Sequence, residues 1–303
     1  LHEADTLVAA LLAHIDDHLE GCRDEETKQA IFEGIRKEFT MTETTDKNLY
    51  LGMVSTFKKK TNSLHHQSYI QRILEEHGLD KAPHVNVPDA KLLKPASEPN
   101  ENKEYRTIVG QLSWIANTCR PDICYHVNML QRATNKPTAC HVSHAKKLLR
   151  YLKGTATHGL KYTRDNSKEV RMTCYADSSL GDRENGYSTA GFIIFLNEKP
   201  ISWRCTGLTY LAVSTPEAEL GAMHLVINEA LYVKEIINEL MQNAISYPIP
   251  IYCDNATAVE LVNGDASPGR TRSINIKVNS VREHVMNKEV DVRWIPSEDN
   301  PAD

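Results

Sequence analysis

Nowhere among the 303 residues is there an apolar run of about 18, so the sequence offers no membrane span. Cys-x-x-Cys pairs are missing too. The seven cysteines (22, 119, 124, 140, 174, 205, 253) are scattered and odd in number. That pattern argues against a disulfide framework or a zinc ribbon and for a reducing compartment. A basic excess is also lacking: the net charge is −5, which does not by itself advertise nucleic-acid binding. The first residues, Leu1-His2-Glu3-Ala4-Asp5, have neither an initiator Met nor the basic start of a signal peptide. The expectation is a fragment or processed chain that is not secreted.

What is present fits a globular protein of two domains or three small ones, with 41% hydrophobic and 25% charged residues. Charge is patchy. Between Lys146 and Arg171 there are eight Lys or Arg against Asp165 and Glu169. A solvated face and a phosphate-tracking surface are both compatible with it.

Residues 6–22 read as two short strands around Asp16-Asp17, a turn pair or a metal pair. Helical spacing recurs at 26–39, 66–77, 104–118, 121–133 and 138–153, and a strand is expected at 49–57. The proline-rich stretch 82–101 reads as a linker. Cys140-His141-x-x-His144 has ligand-like residues, but no second pair accompanies them, so capping or packing is preferred over zinc. From 169 onward strands dominate: 169–177, 189–196 and 199–205, then a helix over 216–242, a strand at 249–254, helices at 256–263 and 274–287, and a strand at 289–295. This order predicts an α/β (α+β) mixed sheet with helices on its faces.

Four carboxylates stand at informative places in that last third. Asp177 ends an alternating strand, Glu219 lies in the first turn of the long helix, Asp254 ends an apolar strand, and Asp303 is the last residue. Each has a plain alternative as a turn, cap or solvated residue. Ser214-x-x-Glu217 fits a capping box, which leaves Glu219 the better candidate for chemistry. Phosphodiester cleavage is served by two divalent ions about 3.5–4 Å apart held by oxygen ligands, Mg²⁺ or Mn²⁺ rather than a thiophilic metal.

Several motifs resemble the C-terminal part of the Pol polyprotein of copia-type LTR retrotransposons. They are Tyr105-Arg106-Thr107-Ile108-Val109-Gly110-Gln111-Leu112, Arg120-Pro121-Asp122-Ile123, Leu149-Arg150-Tyr151-Leu152-Lys153-Gly154-Thr155, Ala190-Gly191-Phe192 and Pro200-Ile201-Ser202-Trp203. Ser214-Thr215-Pro216-Glu217-Ala218-Glu219-Leu220, Asp254-Asn255 and the segment Ile295 to Asp303 complete the set. The resemblance implies a ribonuclease H-like fold over 168–303. Ahead of it would stand a partial reverse-transcriptase palm (1–60), a thumb-like segment and linker (61–100) and a connection-like helical region (101–167).

It further implies that Asp177, Glu219, Asp254 and Asp303 match an acidic metal-binding quartet, and that His14-Ile15-Asp16-Asp17 matches the polymerase metal motif, with Asp16 and Asp17 as ligands. The chain departs from the family's pattern at His14, His18, Glu20 and Asn275, and the Trp usual after the first ribonuclease H Asp is missing. The expected activity is cleavage of RNA in an RNA–DNA hybrid. Lys146, Lys147, Arg150, Lys153, Arg270 and Arg272 would contact nucleic acid, and the rest of the Pol polyprotein would be a partner. A homodimer stays open, and the expected location is cytoplasmic, within a virus-like particle, or nuclear. The alternative is a decayed or domesticated fragment that binds nucleic acid or protein without catalysis. Polymerase activity is not expected of this chain.

Overall fold

Short strands open the chain. The computed structural model describes residues 2–3, 6–7, 9–14, 17–40, 49–58, 60–86, 103–163, 169–183, 185–242, 244–264 and 272–303. In it β1 (His2–Glu3) pairs β2 (Thr6–Leu7), and β3 (Ala9–His14) pairs β4 (Asp17–Cys22), both antiparallel. The expected hairpin is present, with His14 opposite Asp17. Asp16 and the Asp17 side chain lie outside the described residues. Asp24 caps α1 (Glu25–Glu38) by accepting from the Thr27 amide at 2.8 Å. The helix forms where its periodicity predicts, yet none of its residues is buried.

Leu51 and Gly52, both at positive φ, turn β5 (Leu49–Tyr50) into β6 (Met53–Lys58). β7 (Thr61–His65) follows, and β8 (Gly159–Thr163) pairs with it from far along the chain. The result is a four-stranded antiparallel sheet in the order β5-β6-β7-β8. A Cβ on Gly159 would come within 2.0 Å of the Leu64 carbonyl oxygen, so only glycine permits this close pairing. Neither β7 nor β8 was expected from periodicity. Thr-Asn-Ser-Leu-His is too short and polar to show a buried face, and β8 hides inside the basic stretch.

Four helices build a first core: α2 (Gln67–Glu76), α3 (Lys103–Thr118), α4 (Cys124–Arg132) and α5 (Ala139–Gly154), with a 3-10 turn at Pro121–Ile123. Ile70, Ile73, Ile108, Leu112, Ile115, Leu148 and Leu152, spaced at helical intervals, are fully buried there. Arg120, 2% exposed, locks the helix ends. Its guanidinium donates to both Asp122 oxygens (2.8 and 2.7 Å) and to Thr155 O and Oγ1 (2.9 and 2.8 Å). The Tyr151 hydroxyl donates to the same Asp122. Two of the motifs that carry the resemblance are thus one buried clamp. The β5–β8 sheet joins residues 49–65 to 159–163, and the helical core joins residues 70–79 to 105–156.

The last third forms a five-stranded sheet in the order β11-β10-β9-β12-β13. β9 (Met172–Ser179), β10 (Thr189–Leu196) and β11 (Lys199–Gly207) are an antiparallel meander, as expected; Asn197 and Glu198, at positive φ, make its tight turn. β12 (Ile249–Cys253) lies parallel to both β9 and β13 (Val290–Trp294). α6 (Thr215–Leu240), α7 (Ala256–Asn263) and α8 (Arg272–Met286) bury one face of the sheet over Met172, Cys174, Ala176, Ile194, Ile251 and Cys253. Trp203 Nε1 donates to Ala116 O at 2.8 Å, Asn128 Nδ2 to Cys205 O at 3.0 Å and Tyr162 Oη to Pro200 O at 3.0 Å, which ties this sheet to the preceding helices and to β8. Among the described residues no helix is long and apolar enough to cross a membrane.

Candidate metal centre

Period-two alternation in β9 sends Cys174 and Ala176 into the core and leaves Tyr175 and Asp177 on the other face. Cys253 pairs with Ala176, so the next residue on β12, Asp254, falls beside Asp177. Asp254 does not cap the following helix. Asn255 does, accepting from the Ala258 amide at 2.9 Å. The Asp254 carboxylate accepts instead from Ser297 Oγ at 2.6 Å, and its backbone carbonyl accepts from Trp294 Nε1 at 2.9 Å.

α6 brings in Glu219, which stands just past the first turn rather than within it. Its neighbour Glu217 does the local structural work. One oxygen accepts from the Val213 amide at 3.0 Å and the other from Lys277 Nζ at 2.7 Å, with that ammonium 3.2 Å from the centre of the Tyr210 ring. The expected capping box is not formed: the Ser214 side chain makes no cap bond, and Glu217 accepts from the amide of Val213, one residue ahead of the cap. Glu219 is 2% exposed, yet its partners are few. Ser178 Oγ donates to one oxygen at 2.8 Å and Cys253 Sγ to the other at 3.5 Å.

The fourth carboxylate is held by its own short segment. Asn300 is buried; its Nδ2 donates to Ala176 O at 3.1 Å, and its Oδ1 accepts from the Ala302 amide at 3.1 Å. Asp303 N donates to Asn300 O at 3.2 Å. Gly191, opposite Asp177 on β10, leaves room for this segment: a Cβ there would lie 3.3 Å from Ala302 O.

The electrostatics show that the four groups share one neighbourhood. Burial, then the charges of Asp254 and Asp303, push Asp177 up to about 6. Burial is also the main reason that Glu219 rises to about 8; the charges of Asp177 and Asp254 add to it, against the Ser178 and Cys253 hydrogen bonds. Carboxylates so placed favour protons or cations over bare ionisation. One donor atom each of Glu219, Cys253 and Asp254 lie within 4.8 Å of one another, close enough to share an ion. The residues suit a divalent metal: the acids supply hard oxygens, and Ser178 and Ser297 orient them.

Other candidates fare differently. Arg150 Nε donates to Pro83 O at 2.7 Å, Lys153 Nζ to Ala82 O at 2.7 Å, and Lys146 pairs with Glu104 at 3.5 Å. The Arg150 and Lys153 heads hold the chain that follows α2, and Lys146 reaches α3. Lys147 is half-buried; Arg270 and the Arg272 side chain lie outside the described residues, as do the Asp16 and Asp17 carboxylates. His141 completes a capping box with Thr138, and His144 Nε2 meets His126 Nδ1 at 3.2 Å, in line with the preferred non-metal reading. Sequence reasoning missed Ser178, Cys253, Ser297 and Asn300. Only Ser297 and Asn300 had a signal, their place in the Ile295–Asp303 motif.

No protein-family model matches the chain. It is 29% identical over 303 residues to the retrovirus-related Pol polyprotein from transposon RE1 of Arabidopsis thaliana, a match covering 98% of this chain and 20% of that protein. With the corresponding polyprotein from transposon TNT 1-94 of Nicotiana tabacum the identity is 28%, over 97% of this chain and 23% of the relative. The chain thus spans about a fifth of the length of these curated relatives. Among solved structures, RNase H1 from Halobacterium salinarum aligns with 44% of this chain and 90% of its own at 14% identity and a TM-score of 0.33. The foamy viral protease-reverse transcriptase in complex with an RNA/DNA hybrid aligns with 95% of this chain and 36% of its own, at 14% identity and a TM-score of 0.51. At such identity the latter likeness concerns the fold alone. The fold is the expected one, a ribonuclease H-like mixed sheet with flanking helices behind a partial reverse-transcriptase region.

Proposed function

From the similarity of the chain to retrotransposon Pol polyproteins, we propose that it is a piece of a copia-type Pol polyprotein and that residues 168–303 form a divalent-metal-dependent ribonuclease H that cleaves the RNA strand of an RNA–DNA hybrid. In this reading residues 1–60 are the end of a polymerase palm, 61–100 a thumb-like segment with its linker, and 101–167 a connection. The observation that carries the reading is the convergence of Asp177, Glu219, Asp254 and Asp303, from four separate elements, on one end of the five-stranded sheet.

Asp177, Glu219, Asp254 and Asp303 would hold Mg²⁺ or Mn²⁺ as a two-ion site. Bound there, the ions supply an activated water and charge neutralisation on the scissile phosphate. The protein's own residues do the positioning. Ser178 fixes one Glu219 oxygen and Ser297 one Asp254 oxygen, which limits the rotamers of both acids. Asn300 holds Asp303 toward Asp177. The acid cluster repels phosphate when empty, so substrate approach depends on the cations. An A-form RNA strand offers 2′-hydroxyls by which it is told from DNA.

Asp254→Asn keeps the side chain's shape and removes its charge. Expected is loss of Mg²⁺-dependent cleavage of a labelled hybrid by more than about a hundredfold, with little change in folding. Unchanged cleavage in this variant overturns the assignment. A wild-type chain that retards the hybrid in a gel without cutting it would instead favour a non-catalytic binding module.

A further inference from the structure

The acid site has one soft donor. Cys253 is fully buried, and its sulfur lies beneath the carboxylates, 3.5 Å from Glu219 Oε2 and within 4.8 Å of donor atoms on both Glu219 and Asp254. The Asn255 amide donates to the same sulfur at 3.4 Å. Cys253 faces the core side of β12 and Glu219 descends from α6, so the three donors approach from different directions. A small shift would close them on one ion.

Hard cations ignore a thiol, whereas Zn²⁺ and Cd²⁺ seek it and accept carboxylate oxygens as companions. A Cys-Glu-Asp set leaves a fourth position for water, the arrangement of an open rather than a sealed site. The other six cysteines include no such partnership among the described residues, where the Glu219, Cys253 and Asp254 group is the metal-compatible cluster present.

We propose that Glu219, Cys253 and Asp254 form a site for a thiophilic divalent cation, at which Zn²⁺ or Cd²⁺ displaces the hard ion and switches the nuclease off. The inhibitory consequence rests on the ribonuclease H reading; the cation site itself does not. On binding, the Cys253 S–H bond breaks, its proton passes to solvent, and sulfur donates the freed pair to the cation, with no redox change.

The test uses Cd²⁺ on the whole chain in Mg²⁺ buffer, read by the ultraviolet charge-transfer band of a cadmium–thiolate bond. Wild type should gain one equivalent of this band that Cys253→Ser lacks, while contributions from the remaining cysteines are common to both and cancel. Equal bands in the two proteins overturn the proposal. Should Cys253→Ser fail to fold, cadmium NMR of the wild type decides. A saturable resonance in the thiolate range that weakens by more than about tenfold in affinity in Glu219→Gln supports the site, and an all-oxygen resonance overturns it. In a cleavage assay, with each protein normalised to its own Mg²⁺ rate, inhibition by Cd²⁺ should weaken by more than about tenfold in Cys253→Ser. Absence of Mg²⁺-dependent cleavage in the wild type would sink the nuclease reading, and the difference band would still judge the cation site.

Discussion

Removing the charge of Glu219 should make the metal-free protein more stable at neutral pH, and the size of the gain can be worked out. Glu219 titrates near 4.5 when unfolded and near 8 when folded, chiefly because of burial. A folded pKa raised above the unfolded one contributes stability that is present below the unfolded value and lost as pH climbs through the folded value. At about 1.4 kcal/mol per pH unit, the loss between pH 4.5 and 7 is on the order of 3 kcal/mol at most. Asp177, raised from 3.8 to about 6, adds in the same direction over a lower window. Urea unfolding in chelator, followed by far-ultraviolet circular dichroism between about pH 5 and pH 8, should show wild type losing stability. Glu219→Gln should retain only the shallower loss due to Asp177, up to about pH 6, and overtake wild type near neutrality. Saturating Mg²⁺ should flatten or reverse the wild-type slope, because it stabilises the ionised form by about 2.7 kcal/mol at a hundredfold excess over Kd. A Glu219→Gln variant with the same pH slope as wild type would refute the reasoning.

Elsewhere the structure makes sharper structural demands. Arg120→Met should destabilise the helical region by about 3 kcal/mol or more, since Asp122 and the Thr155 carbonyl lose a buried partner; Arg120→Lys should rescue little, because the forked geometry is gone, and urea midpoints decide both. Gly159→Ala should cost more than about 2 kcal/mol by forcing β8 off β7, read as lost amide protection at Leu64 and Leu160; normal protection would count against the register. Asn300→Ala should lower stability by about 1–2 kcal/mol and cut hybrid cleavage further than hybrid binding, because it releases the segment carrying Asp303; equal loss of both would deny that role.

Periodicity read most of the second sheet correctly because β9 alternates cleanly and the other strands are apolar runs bounded by turn residues. β9, β10 and β11 fell within two or three residues of expectation, and α7 matched at both ends. β7 and β8 were not legible. Their pairing joins residues nearly a hundred apart, and neither strand is long enough to show a pattern against its polar surroundings. In the site, the acids were legible by position on predicted elements. Ser178 and Cys253 were not, since a serine or a core cysteine becomes informative only when its neighbour across the fold is known. The basic stretch shows a different limit. Net charge marks a surface but cannot tell that Arg150 and Lys153 bond to carbonyls of residues 80–83.

The most specific motifs serve two different ends. Arg120-Pro121-Asp122 and Tyr151 to Thr155 form a clamp apart from the acids, while Glu219 and Asp254 belong to the metal centre. The clamp still matters to this candidate centre, through the intervening contacts. It fixes the start of α4 and the end of α5. α4 carries Asn128 and Arg132, which bond to Cys205 O on β11 and to Asp182 in the β9–β10 connection. β11 in turn holds β10, whose Gly191 lies between Asp177 and the segment that bears Asp303. The helical region therefore buttresses the edge of the sheet on which the carboxylates converge. Four mutually repelling acids do not hold themselves together, so the backbone beneath them must be rigid before a cation arrives.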